Sequence, residues 1–294
     1  MKPRIAAIGT FDGLHQGHQS VLKVLTERAK DYEMEPMVIT FDRHPLALID
    51  PERTPKALMS LEQKQSLLKE IGVVPVVLNF EEPLRSTTAE QWMKRLNKEW
   101  GVEVLVVGYD NTFGCDGINM SIEDYKKIGE KEGIKVITAD EMPGVSSSAI
   151  RKAVSEGEME KARELLGRPY SLTAKVTQGN QVGQNLGFPT ANIDPPEGLA
   201  LPKPGVYAAI VKIEDDPDKH IAMVNIGTHP TVLSVEHPLI EAHILGWTGD
   251  LYGKDLTVRF LKRIRDEKKF ENLEDLKAQL AHDKKTVESL NIKV

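Results

Sequence analysis

The sequence predicts a doubly wound parallel α/β domain followed by a small antiparallel β-barrel with a C-terminal helix. Up to about Leu166, short β-branched runs alternate with amphipathic segments, the pattern of parallel strands joined by crossover helices. Past Gly167-Arg168-Pro169, where glycine and proline break the periodicity, strand-like runs follow one another through turn-rich connections until a last helical stretch. The chain has 294 residues, 40% hydrophobic and 28% charged, enough for two cores at about 150 residues per domain. The expected domains are therefore 1–166 and 167–294.

In the first domain, strands are expected at Arg4 to Gly9, Met37 to Phe41, Val73 to Leu78, Val104 to Gly108 and Ile134 to Thr138. Each is nearly continuous in apolar residues, as when helices cover both faces of a sheet. Val21, Leu22, Leu25 and Ala29 mark a helix after the first strand. Ser60-Leu61-Glu62-Gln63 and Thr88-Ala89-Glu90-Gln91 fit capping boxes, which satisfy amides at a helix start. Leu61, Lys64, Leu67, Leu68 and Ile71 keep helical spacing after the first box. Ile122, Tyr125 and Ile128 keep it after Ser121, with Gly133 placed as the C-cap. Helices are also expected at Ser148 to Ser155 and Met159 to Leu166. In the second domain the strand-like runs are Leu172 to Thr177, Val206 to Ile213, Ile221 to Ile226, Leu239 to Leu245 and Leu256 to Phe260. A closed barrel removes their exposed edges. Glu214-Asp215-Asp216-Pro217-Asp218 reads as a solvated hairpin turn. Asn272 is the expected N-cap of the last helix, with Asp275 three residues on and Leu273, Leu276 and Leu280 on one face.

The formal net charge of −6 supplies no basic field for a duplex, so no nucleic-acid partner is expected. Asp12 ends the opening apolar run before a signal core forms, and no stretch approaches the ~20 apolar residues of a membrane helix. A single cysteine, Cys115, forms no intrachain disulfide. The expected state is a cytoplasmic monomer or weak oligomer without membrane contact.

The first strand runs into Gly9-Thr10-Phe11-Asp12-Gly13-Leu14-His15-Gln16-Gly17-His18 and then into a helix. Ligands of open α/β sheets sit beyond the carboxyl ends of the strands, and this loop delivers two imidazoles and a helix N-terminus there, with Gly17 allowing close approach of the backbone. Fixed imidazole and amide donors suit charge developing on a phosphate. The same residues also read as a turn histidine and a helix-start histidine, or as a metal pair lacking an evident third ligand. After the fifth strand, Val145-Ser146-Ser147-Ser148-Ala149-Ile150-Arg151 opens a helix and converges hydroxyls, amides and a guanidinium, either a plain N-cap or a site for polyphosphate.

Together HxGH and SSxxIR resemble the nucleotidylyltransferase superfamily, and GTFDGLHQGH is similar to its bacterial FAD synthetase branch. Phe41-Asp42-Arg43-His44-Pro45 is similar to the family's FDPHP, and Gly108-Tyr109-Asp110-Asn111-Thr112-Phe113-Gly114 to its GxDFxFG. The resemblance implies a Rossmann-like FMN adenylyltransferase domain, with ATP contacts at Gly9, Phe11, Gly17, Ser147 and Ser148. It further implies that His15, His18 and Arg151 are catalytic and that Asp110 recognises flavin or nucleotide. Asn111 stands in place of the usual aromatic, Thr112 of a frequent basic residue, Ser148 of threonine and Arg43 of proline.

In the second domain, Gly179, Gly183 and Gly187 recur every fourth position ahead of Phe188-Pro189-Thr190-Ala191-Asn192. The spacing permits a tight loop whose amides face a polyphosphate, or merely a hairpin loop. Thr190 and Asn192, two apart on an extended segment, share a side and offer oxygens to Mg²⁺ or phosphate. In Ile240-Glu241-Ala242-His243-Ile244, Glu241 and His243 face away from three apolar residues, either as a base for an alcohol or as solvent-facing groups. GFPTAN, GVYA, NIGTxPT, ExHIL and LYGKxLxVxFLKxIRDEKKF, in that order, are similar to the riboflavin kinase family from Tyr170 to about Asp283. That resemblance implies Mg-ATP at Thr190 and Asn192, ATP contacts at the three glycines, Glu241 as catalytic base and a C-terminal helix closing the flavin pocket. Gln184 stands where arginine is common.

Both resemblances imply a bifunctional riboflavin kinase/FAD synthetase. Riboflavin and ATP give FMN and ADP, then FMN and ATP give FAD and pyrophosphate, with ATP as co-substrate and Mg²⁺ as cofactor. Another nucleotidylyltransferase, or a flavin-binding regulator with weak or lost adenylylation, stands as the alternative.

Overall fold

The computed structural model of the chain describes residues 2–109, 112–178, 187–230 and 236–293. Contacts divide it into two compact units, Met1–Ser147 and Ser148–Val294. This division precedes the expected break at Gly167. The helix Met159–Leu166 packs on two strands of the barrel and so groups with the second unit.

The first unit is built on five parallel strands, β1 (Arg4–Ile8), β2 (Glu35–Phe41), β3 (Val74–Leu78), β4 (Val102–Val107) and β5 (Lys135–Thr138), in the order β3-β2-β1-β4-β5. Alternate residues of each strand serve different cores. Ala6, Ile8, Met37, Ile39, Leu105 and Val107 pack on one face against α3 (Ala89–Trp100) and α4 (Ile122–Glu132). Ile5, Ala7, Val38, Val104 and Val106 pack on the other against α1 (Gln16–Asp31) and α2 (Leu61–Glu70). The expected stripe Val21, Leu22, Leu25, Ala29 is the buried face of α1. Thr88 and Gln91 form a full capping box, Ser60 accepts the Gln63 amide, and Gly133 ends α4 at φ 75°. Ile71 departs from the expected stripe: it lies one residue past α2 and is exposed.

The second unit begins with α5 (Ser147–Glu156), apart from its first residue, and α6 (Met159–Leu166). Strands β6 (Tyr170–Thr177), β7 (Ala191–Ile193), β8 (Gly205–Ile213), β9 (Lys219–Pro230), β10 (Glu236–Ile244) and β11 (Asp255–Arg265) close a barrel in the order β10-β7-β6-β11-β8-β9. Its neighbours are antiparallel throughout. Fully buried Tyr170, Tyr207 and Phe260 meet ring to ring in its core. The acidic stretch Glu214 to Asp218 joins β8 to β9, as expected of a hairpin, but Asp216 is half-buried against His220 at 2.9 Å.

The last helix, α7 (Leu273–Ser289), is capped by Asn272, whose side chain accepts the Asp275 amide at 2.9 Å. Leu273 is exposed, so the packed face begins one turn later, at the half-buried Leu276 and Leu280. Asp283, fully buried, receives both Arg265 Nε and Nη2 from β11 at 2.9 and 2.7 Å and the Gln279 amide at 2.8 Å. Asp283→Ala strips a mostly buried guanidinium of its partner. The expected cost is about 3 kcal/mol, measured by denaturant unfolding of the kinase-resembling unit.

Candidate active sites

The order β3-β2-β1-β4-β5 reverses direction between β1 and β4, and a ligand crevice of an α/β sheet lies beyond the strand ends at such a point. A cavity of about 510 Å³ opens there. Its walls are Gly9 to Phe11, His15, Gly17 and His18 after β1, Gly108 and Tyr109 after β4, and residues 140–142 and 144–147 after β5. Gly9, Phe11, His15, Gly17, His18 and Ser147 therefore share one concavity. Ser148 and Arg151 lie in α5 and belong to the second unit. Asp110 lies outside the described residues.

His15 is the N-cap of α1. Its Nδ1 accepts the His18 backbone N–H at 3.3 Å, which leaves the proton of the neutral ring on Nε2. The His15 and His18 rings stack at 3.6 Å and 18°, and Phe11 lies 5.1 Å from His18. Gly17 serves this pair: a Cβ there would stand 3.2 Å from His15 Nδ1 and Cε1. The glycine makes room for the His15 ring.

The loop ahead of the histidines is held against its preferences. Phe11 and Leu14 take left-handed φ of 48° and 41°, a conformation costing roughly 1 kcal/mol or more for a side-chain-bearing residue. Ser147 Oγ donates to the Asp12 carbonyl at 3.0 Å, fastening the β5-side loop to the β1-side loop. Asp12 Oδ1 accepts the Leu58 amide at 2.9 Å, and buried Lys64 Nζ donates to the Thr10 carbonyl at 2.8 Å. Sequence periodicity counted Lys64 only as a helical position; a lysine inside an apolar stripe was the available signal of another role.

Two cavities open in the barrel unit and meet at Thr190, which lines both. One, of about 210 Å³, is lined by Thr190, Asn225, Glu241, His243 and Arg265, with Leu276 and Leu280 of α7 on its apolar side. The register places Glu241 opposite Asn192 of β7 and opposite Asn225 of β9. Directly opposed residues share a sheet face, so a carboxylate is flanked by two amides. Asn225 opens the NIGTxPT segment, but the motif does not show that it stands opposite Glu241, which only the β9–β10 register reveals. His243 is no surface residue: it is buried, its Nδ1–H donates to the Pro189 carbonyl at 2.8 Å, and Phe188 packs edge-on at 5.3 Å. Burial pushes its pKa below the ordinary histidine value, against the Pro189 contact.

The other cavity, about 390 Å³, is lined by Val176, Pro189, Thr190, Ala242, Trp247 and Tyr252. Asp216 has its carboxyl held below its usual range first by the Asp218 amide and then by His220. An aromatic slot beside a polar one, sharing a hydroxyl at their junction, suits a planar base and its phosphates next to an acceptor. Gly187 is exposed beside this segment, and Gly179 and Gly183 lie outside the described residues.

Comparison with known proteins finds a family match in each half of the chain. A family model described as FAD synthetase matches residues 1–152, and one described as riboflavin kinase matches residues 166–291. The bifunctional riboflavin kinase/FMN adenylyltransferase of Escherichia coli K12 is 34% identical over 289 residues, covering 96% of this chain and 91% of that protein. The corresponding protein of Pseudomonas fluorescens is 35% identical over 285 residues, covering 95% and 90%. That of Bacillus subtilis is 32% identical over 286 residues, with the same coverage. A crystal structure described as a macrolide-efflux protein from Streptococcus pneumoniae superposes with a TM-score of 0.88 at 29% identity, covering 98% of this chain and 94% of that one. Among the described residues of this chain, no helix is long and apolar enough to cross a membrane.

Proposed function

The chain belongs to the bifunctional riboflavin kinase/FMN adenylyltransferase family, and from that premise we propose how its residues divide the two reactions. It phosphorylates riboflavin to FMN and adenylylates FMN to FAD, with ATP as co-substrate of each step. Residues 167–294 carry the first reaction and 1–166 the second. The observation that carries the assignment is that each unit has its own cavity, one with a carboxylate set between amides and one with a stacked histidine pair at a helix start.

In the barrel, Glu241 takes the proton of the ribityl 5′ hydroxyl as its oxygen bonds to the γ-phosphorus of ATP; the bond to the β–γ bridging oxygen breaks and ADP leaves. Thr190 and Asn192 present a hydroxyl and an amide oxygen, hard donors that fit Mg²⁺. When bound, the ion neutralises the charge on the phosphates. Gly179, Gly183 and Gly187 are ATP contacts, and α7 walls the flavin side through Leu276 and Leu280.

In the α/β unit, an FMN phosphate oxygen attacks the α-phosphorus of ATP and pyrophosphate departs. The nucleophile is already anionic, so no base is needed; alignment and charge stabilisation suffice. His15 and His18 present N–H donors to the α-phosphate, Gly9, Phe11, Ser147 and Ser148 hold the nucleotide, Arg151 offsets the charge of pyrophosphate, and Asp110 contributes to recognition. We place the enzyme in the cytoplasm as a monomer or weak oligomer.

Incubating the purified chain with riboflavin and Mg-ATP, and separating the flavins over time, tests the whole reading: FMN rises first and FAD follows. Absence of both products would refute it. Gly17→Ala tests the histidine pair more finely. A methyl 3.2 Å from the His15 ring forces the imidazole to shift. FMN adenylylation is expected to fall about tenfold while riboflavin phosphorylation is unchanged.

A further inference from the structure

We propose that Lys64 is a positioning residue for FMN adenylylation: from behind the cavity it holds the Thr10–Asp12 turn in the conformation that sets the histidine pair. The inference rests on adenylyl transfer taking place in the 510 Å³ cavity.

Lys64 reaches from α2 to the back of the loop whose front lines that cavity. Its Nζ donates to the Thr10 carbonyl at 2.8 Å and to Thr40 Oγ1 at 3.3 Å, and Thr40 Oγ1 donates to the same carbonyl at 3.1 Å. Two donors from separate elements thus converge on one carbonyl at the edge of the nucleotide-facing turn. The next residue, Phe11, is left-handed, a conformation that persists only where its surroundings over-determine it. Asp12 follows, tied by its carboxylate to Leu58 and by its carbonyl to Ser147. His15 lies three residues further on.

Lys64 is only 8% exposed, and a lysine so enclosed is a poor choice for stability alone. Burial pulls its pKa below the ordinary lysine value, with the Asp12 charge opposing. A hydrocarbon of similar length would fill the same space without that desolvation, so the amine is retained for what it holds.

Kinetics of both reactions on the full chain test this. Lys64→Met is expected to lower kcat for FMN adenylylation between about tenfold and a hundredfold, with KM for ATP changed by less than about threefold and riboflavin phosphorylation intact. Its melting temperature is expected to match or exceed that of the wild type. A purely structural lysine gives the opposite pattern, a lowered melting temperature with wild-type kcat below it, and that result overturns the proposal. Lys64→Gln keeps an N–H donor on a shorter stem and is expected to recover part of the lost kcat. Thr40→Val, which removes the other donor to the Thr10 carbonyl, is expected to lose about threefold. These two variants carry the test if Lys64→Met fails to fold. Wild-type kcat in both, or Lys64→Gln no better than Lys64→Met, overturns the proposal. A wild-type chain that makes no FAD from supplied FMN instead overturns the assignment of the reaction itself, whatever Lys64 does.

Discussion

Glu241→Gln is expected to cut FMN formation from riboflavin about a thousandfold while FMN supplied to the same protein is still converted to FAD at the wild-type rate. The carboxamide has nearly the shape of the carboxylate and keeps an acceptor oxygen among Asn192 and Asn225, so the barrel strands have no reason to rearrange. What it loses is basicity. A primary alcohol is a weak nucleophile until its proton is accepted, and a positioned general base typically contributes 10²–10⁴ in rate. KM for riboflavin is expected to change little, because in the proposed assignment the flavin rests on other walls of the cavity, such as Leu276 and Leu280. His243, which lines the same cavity, has its Nδ1–H committed to the Pro189 carbonyl, leaving Nε2 as its basic nitrogen. If His243 were the base, Glu241→Gln would retain most of its kinase activity and His243→Asn would lose it. Chromatography of the flavins separates these outcomes, and an equal fall in both reactions would contradict independent sites.

Much of this architecture was legible in the sequence because its determinants are local. The helix starts at Ser60, Thr88, Ser121 and Asn272 are each fixed by a side chain and an amide three residues apart. The apolar stripe of α1 is likewise set by a single period. Reading went wrong where a period overshoots its element: Ile71 and Leu273 fit the spacing but sit at helix ends, where they are exposed. The three-residue β7 is too short to leave an alternation, yet its Asn192 is the partner of Glu241. Asn225 and Lys64 acquire their roles only through pairing across the barrel or behind a loop, information carried by no neighbouring residue. Motif order supplied what spacing could not, since it joined His15 and Ser147, separated along the chain, before their common cavity was known.

The other large effect is expected from replacing both histidines. His15→Ala with His18→Ala should lower FMN adenylylation about a thousandfold and leave riboflavin phosphorylation untouched, because the barrel has its own cavity, in which Glu241 is the proposed base. Removing one preorganised donor from a developing oxyanion typically costs 10²–10³. The two rings stack at 3.6 Å, and one caps the helix that carries the other, so they act as a unit. The double variant should therefore lose much less than the product of the single losses, since either deletion already disturbs its partner. His15→Ala should be the more damaging single change, removing both a ring and the acceptor for the His18 amide. His15→Asn restores a capping oxygen without an imidazole. It should regain the stability lost by His15→Ala, roughly 1 kcal/mol, without regaining the rate. Should His15→Asn recover the rate as well, the first histidine would be a helix cap alone, and the charge on the α-phosphate would have to be met by His18 and the helix amides.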